Sequence, residues 1–152
     1  MIMRDRVCEL KCNIDDMTAE EIAFAAEILM ENGAKDVVTE AAGMKKGRPA
    51  TILTVMCSDE ETEKEKFVRL LFKYTTTIGI REIISERYIL ERETGTVDTP
   101  FGQVRCKTVS GYGVTRSKFE YEDLARIARN QGISLAEARK LAEDCCNKEG
   151  NI

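Results

Sequence analysis

The fold class this sequence predicts is α+β: a ferredoxin-like β-α-β-β-α-β core over about 6–92, followed by a β-hairpin and two C-terminal helices over about 93–149. Three observations predict it. Residues 6–13 alternate apolar and polar, and 51–57 form a strong apolar run, both patterns of half-buried or buried strands. Two stretches of helical period follow these strands, each opened by an N-terminal capping pair. The order in which they occur is that of a split β-α-β plan. With 152 residues, the chain has the size of one ordinary domain and shows no repeat, low-complexity linker or clear boundary.

The elements follow in order. In the first strand Val7, Glu9 and Lys11 fall on one side, and Cys8, Leu10, Cys12 and Ile14 on the other. Thr18 with Glu21 three residues later is a capping box, and the helix behind it runs to about Asn32. Its apolar face is Ile22, Ala25, Ala26, Leu29 and Met30, and Gly33 stops it. Val37, Val38 and Thr39 centre a second strand, and 43–49 read as a loop before the strand at 51–57. Ser58 and Glu61 read as a second capping box for a helix over about 60–74, packed through Phe67, Leu70, Leu71 and Tyr74. A strand-like run covers 80–92. A hairpin pairs 95–98 with 103–109. Two short helices close the chain, at about 119–130 and 134–147, the second capped by Ser134 and Glu137. The last few residues are expected to fray.

Composition excludes several functions. There is no histidine, so no mechanism can draw an imidazole base or metal ligand from this chain. There is no tryptophan and only 6% aromatic residues, which argues against a stacking platform for single-stranded nucleic acid. No segment approaches the ~20 apolar residues of a membrane span, and 1–9 lack a signal core; the expected location is the cytoplasm. Six cysteines form no C-x-x-C pair and read as reduced, mostly buried thiols.

Topology points to the chemistry. In this plan the loops at 13–18, 42–48 and 75–80 share one edge of the sheet. The first carries the adjacent carboxylates Asp15 and Asp16, oxygen ligands suited to a hard divalent cation. Acids ahead of a helix also complement its positive end, so both readings stand for them. The second loop carries Lys45, Lys46 and Arg48 within an acid-free stretch, 41–58, of a chain whose formal charge is −4. That suits phosphate, as it suits a solvated hairpin tip. The third offers Thr76, Thr77 and then Arg81, hydroxyls and a cation that can bind an anion or serve a turn. A second acid-free stretch, 99–119, holds Arg105, Lys107, Arg116 and Lys118. Neither a Walker A loop nor a dinucleotide fingerprint is present. Acids and bases brought to one edge are what a metal–polyphosphate complex requires.

Five segments in register carry a resemblance: Asn13-Ile14-Asp15-Asp16-Met17-Thr18-Ala19-Glu20, Met44-Lys45-Lys46-Gly47-Arg48-Pro49, Thr75-Thr76-Thr77-Ile78-Gly79-Ile80-Arg81, Thr99-Pro100-Phe101-Gly102-Gln103-Val104-Arg105 with Lys107, and Lys118-Phe119-Glu120-Tyr121-Glu122-Asp123-Leu124. Together they resemble the C-terminal domain of the LarC family over nearly the whole chain. The resemblance implies a CTP-dependent nickel cyclometallase, a chelatase of the lyase class. Such an enzyme places Ni²⁺, as substrate, into pyridinium-3,5-bisthiocarboxylic acid mononucleotide to give the nickel-pincer cofactor of lactate racemase. It further implies CTP with Mn²⁺ or Mg²⁺ as cofactors, and a homo-oligomer, a trimer or dimer of trimers. A histidine-rich N-terminal region, absent from this sequence, is implied as a possible partner. On that basis Asp15, Asp16 and Glu120 are the expected metal residues. Lys45, Lys46, Arg48, Thr76, Thr77, Arg81, Arg105, Lys107, Arg116 and Lys118 are the expected nucleotide residues. No catalytic base is evident.

Two rival readings accompany this one. A non-catalytic ferredoxin-like oligomer that senses a small anion or nucleotide would use the same edge without turning the ligand over. Helix-turn-helix spacing around Leu124–Leu141 suggests DNA, but 120–149 hold seven acids against five bases, and a negative helix does not approach phosphates.

Overall fold

The computed structural model describes residues 3–148; the expected fraying of the last residues lies outside them. Along the chain run β1 (Met3–Ile14), α1 (Ala19–Glu31), β2 (Asp36–Met44), β3 (Arg48–Ser58), α2 (Glu61–Tyr74), β4 (Arg81–Ile89), β5 (Glu91–Thr99), β6 (Gly102–Gly111), β7 (Val114–Phe119), α3 (Tyr121–Gln131) and α4 (Leu135–Lys148). Where the sequence shows no boundary, the backbone contacts divide the chain at Tyr88 into two compact units, Arg4–Arg87 and, with Met3, 88–148.

The first unit is the ferredoxin-like core. Its sheet has the order β2-β3-β1-β4, so β1 and β3 are central and the helices connect strands across them. Alternation puts Cys8, Leu10, Cys12 and Ile14 of β1 on the helix side, opposite Cys57, Val55, Leu53 and Thr51 of β3. All of these except Thr51 meet Ile22 and Leu29 of α1 and Phe67 and Leu71 of α2 in one core. Each fully buried Leu or Phe contributes about 1.5–3 kcal/mol of transfer free energy. The capping box of Thr18 forms in both directions: its hydroxyl accepts from Glu21 N–H, and Glu21 accepts from Thr18 N–H. Asn32 is the C-cap, and Gly33 follows with φ +89°. Met30, placed on the apolar face by period alone, is about half exposed.

Three expectations are corrected here. The second capping box does not form. Ser58 is the last residue of β3, the N-cap is Glu60 with no side-chain bond, and Ser58 Oγ only accepts Glu60 N–H at 3.2 Å. The loop at 43–49 shrinks to a three-residue turn, Lys45–Gly47, because Met44 pairs with Arg48 and the hairpin ladder continues to its tip. The strand-like run at 80–92 breaks at Leu90 into β4 and β5.

The second unit is a three-stranded antiparallel meander, β5-β6-β7, rather than a hairpin. Thr99 pairs with Gly102 around the Pro100-Phe101 turn and sets the register of the whole sheet. Val97, Val104, Cys106 and Phe119 face α3 and α4, packing against Leu124, Ile127, Ala138, Ala142 and Cys146. Gly132 (φ +66°) ends α3 in the left-handed conformation. The Ser134–Glu137 capping box forms as expected, with Ser134 N–H donating to Glu137 at 2.7 Å and Glu137 N–H to Ser134 Oγ at 3.2 Å.

Candidate functional site

The three loops expected at one edge of the ferredoxin-like unit are joined there by side-chain contacts. Arg48 Nη1, at the start of β3, lies 3.3 Å from Asp15 Oδ2 at the end of β1. The Thr76 hydroxyl donates to Asp16. Arg81 Nη2 donates to Asn13 Oδ1 at 2.9 Å, and Thr76 N–H points at Met17 Sδ, 3.4 Å away. Asp15, Asp16, Arg48, Thr76 and Arg81 therefore share one rim. Lys45 and Lys46 extend from the adjoining hairpin tip, exposed and without an ion pair among the described residues.

Thr77 serves the turn instead. Its hydroxyl donates to Gly79 C=O at 2.9 Å. Burial pushes the Cys12 thiol up, and the Thr77 hydroxyl and the Arg81 charge oppose that.

The rim offers two carboxylates and a hydroxyl. Among the described residues no group of three or more His, Cys, Asp or Glu could cage a metal by itself. This fits a Mg²⁺- or Mn²⁺-type ion in one respect only: such ions commonly take one or two carboxylates and complete their shell with phosphate oxygens and water. The cations of the same rim would hold those phosphates.

Backbone strain marks the hairpin tip. Lys46 has φ +64°, a left-handed conformation that a lysine adopts at a cost of about 1 kcal/mol. Lys46→Gly is expected to hold or raise thermal stability while weakening triphosphate binding several-fold. Differential scanning fluorimetry and titration with a nucleoside triphosphate read the two effects separately; unchanged affinity would leave the lysine with a purely local role.

The second unit carries a basic sheet face. Directly opposed strand residues share a face, so the register sets Thr94, Lys107 and Lys118 in one row and Arg92, Val109 and Arg116 in the next. This is the face opposite Val104 and Cys106, away from the packed helices. It borders a cleft of about 450 Å³ lined by Arg92, Lys107, Arg116, Lys118, Glu120 and Tyr121. Lys107 pairs with Glu120 at 2.5 Å and holds that carboxyl below the usual carboxylate range. Arg92, Arg116 and Lys118 have no carboxylate partner among the described residues.

Arg105 is differently engaged. Its backbone N–H and Nε each donate to Asp123 Oδ2 at 2.9 Å, and Nη2 reaches Oδ1 at 3.2 Å. Its charge is met within the unit by a carboxylate on the first turn of α3. Glu120 likewise belongs to this unit, tied to Lys107, and it is part of no group of three or more His, Cys, Asp or Glu that could hold a metal among the described residues.

Arg92 is the residue that reading the sequence missed. The signal was present: the Pro100-Phe101 turn fixes a register that brings Arg92 opposite Val109 and into the row of Arg116. A strand drawn without a break from 80 to 92 hid it.

A protein-family model described as nickel insertion protein matches residues 1–139 of the chain. The chain is 42% identical over 132 residues to the pyridinium-3,5-bisthiocarboxylic acid mononucleotide nickel insertion protein of Acetivibrio thermocellus, covering 87% of this chain and 32% of that protein. It is 44% identical over 126 residues to the protein of the same name from Alkaliphilus metalliredigens, covering 83% and 30%. Among solved structures it is similar to LarC2, the C-terminal domain of a cyclometallase involved in synthesis of the NPN cofactor of lactate racemase, in its apo form. That match has a TM-score of 0.78 and 32% identity, and covers 95% of this chain and 99% of that one. The chain spans less than half the length of the curated relatives it matches.

Proposed function

The chain belongs to the nickel insertion protein family, in the part that corresponds to the LarC C-terminal domain, and from this we propose that it is the metal–CTP-binding part of a nickel-insertion enzyme. The reaction served is the placing of Ni²⁺ into pyridinium-3,5-bisthiocarboxylic acid mononucleotide. The observation that carries the reading is the rim itself, where Asp15 and Asp16 meet Arg48, Thr76 and Arg81 beside Lys45 and Lys46.

In this reading Asp15 and Asp16 face a Mn²⁺ or Mg²⁺ ion, which supplies Lewis-acid polarisation of the phosphoryl oxygens when bound. The chain's own contribution is charge and position. Arg48, Lys45, Lys46 and Arg81 neutralise triphosphate oxygens, and Thr76 holds the Asp16 carboxylate in place. This chain supplies no histidine, and in this reading what it contributes is electrostatic stabilisation of the triphosphate. The basic sheet face, with Arg92, Lys107, Arg116 and Lys118, is a second polyanion surface. Arg105 and Glu120 act there through their ion pairs, as positioning residues. Thr77 shapes the loop that presents Thr76.

The enzyme is proposed as a CTP-dependent cyclometallase of the lyase class, working as a homo-oligomer in the cytoplasm together with a histidine-rich N-terminal part. Among the described residues, no helix is long and apolar enough to cross a membrane.

Incubation with CTP and Mn²⁺, followed by nucleotide chromatography, tests the proposal. Saturable binding with CTP consumed supports an active nucleotide site. Saturable binding with CTP unchanged favours a sensing module. No binding at all removes the reading.

A further inference from the structure

A second concavity in the ferredoxin-like unit adjoins the rim and is not used by it. It lies between the start of α1 and the end of α2, has a volume of about 420 Å³, and is lined by Met17, Glu20, Phe24, Lys73, Tyr74 and Thr76. Pockets of roughly 300–1,000 Å³ accommodate small-molecule ligands. Met17 and Thr76 belong to both places.

Its aromatic wall is not explained by folding. The buried stripe of α1 is Ile22, Ala25 and Leu29, and Phe24 lies off that stripe with 54% of its surface exposed. Its ring nevertheless stands edge-to-face with Tyr74, centroids 6.0 Å apart. Charges of both signs flank the pair. Lys73 Nζ lies 4.9 Å from the Tyr74 ring centroid. Glu21 is spent on the Thr18 cap, but Glu20 has no partner among the described residues.

A flat aromatic cation bearing anionic substituents matches that lining. The exposed Phe24 ring offers a π surface to a positive ring, Glu20 offers it a counter-charge, and Lys73, lying over the Tyr74 ring, offers an ammonium to a carboxylate or thiocarboxylate on its edge. We infer that this cleft receives the pyridinium ring of the mononucleotide substrate, set beside the rim that holds metal–CTP. The inference rests on the nickel-insertion reading and adds to it the place of the second substrate.

The probe is pyridinium-3,5-dicarboxylic acid mononucleotide, the oxygen analogue, titrated into the full chain by calorimetry, with Mn²⁺–CTP titrated in parallel. Phe24→Leu keeps the bulk and loses the π face, and Lys73→Glu reverses the edge charge. Each is expected to weaken the analogue about tenfold while Mn²⁺–CTP affinity is retained. Wild-type binding of Mn²⁺–CTP without the analogue would overturn the cleft and leave the nucleotide reading standing. Failure to bind either ligand would overturn both. Analogue affinity unmoved by both substitutions would also overturn it, as would a change of sedimentation mass in Phe24→Leu, which would make Phe24 part of a contact between copies.

Discussion

Asp16→Asn is expected to weaken Mn²⁺–CTP binding on the order of 100-fold and to leave thermal stability nearly unchanged. Asp16 is exposed and accepts the Thr76 hydroxyl. Asparagine keeps an acceptor oxygen in the same position, so the loop contact survives. What it removes is the negative charge that strengthens an oxygen ligand's hold on a divalent cation. Isothermal titration at matched ionic strength, paired with a melting curve, separates the two effects. A lowered melting temperature with intact binding would show instead that the acid serves the positive end of α1.

Asp123→Ala is expected to cost the second unit about 2–3 kcal/mol of stability. Asp123 is 8% exposed, and its carboxylate receives three N–H bonds from Arg105, one from the backbone and two from the guanidinium. It thereby fastens the first turn of α3 to β6. Truncating it leaves the Arg105 guanidinium and backbone N–H without their shared acceptor. The Arg105 bonds hold the Asp123 carboxyl below the usual value of 3.8. A group whose pKa is depressed by folding stabilises the fold above its unfolded pKa, near 4, and loses that contribution as the pH falls through the folded value. The stability gap between wild type and variant should therefore be full at neutral pH and close as the solution is acidified below about pH 4. Denaturant titrations at the two extremes measure it. A gap that stays constant would mean that packing, not charge, carries the effect.

Much of this was legible along the chain because local patterns and tertiary demand agreed. The alternation of β1 named its core side correctly, since that side is the one the helices cover. The convergence of Asp15, Arg48 and Thr76 follows from strand direction alone, and the contacts bear it out. Illegible features were those set by partners distant in sequence. Nothing near Arg105 announces Asp123, 18 residues on, so the arginine reads as a free cation. β7 escaped because, of its six residues, only Phe119 packs against the helices; a strand held chiefly by ladder bonds leaves a weak apolar signature. Ser58 misled because a serine at a strand end and a serine at a helix cap look alike until the backbone turns.

The buried thiols make this protein its own stopwatch. Cys8 and Cys57 sit cross-strand within the ferredoxin-like core, and burial pushes the Cys8 thiol up to about 12. Cys106 and Cys146 sit in the core of the other unit. Alkylating reagents attack thiolates that solvent can reach, so each pair is silent until its own unit opens. Timed iodoacetamide exposure followed by peptide mass mapping would read the breathing of the two halves separately, on the unmodified polypeptide and without an introduced dye.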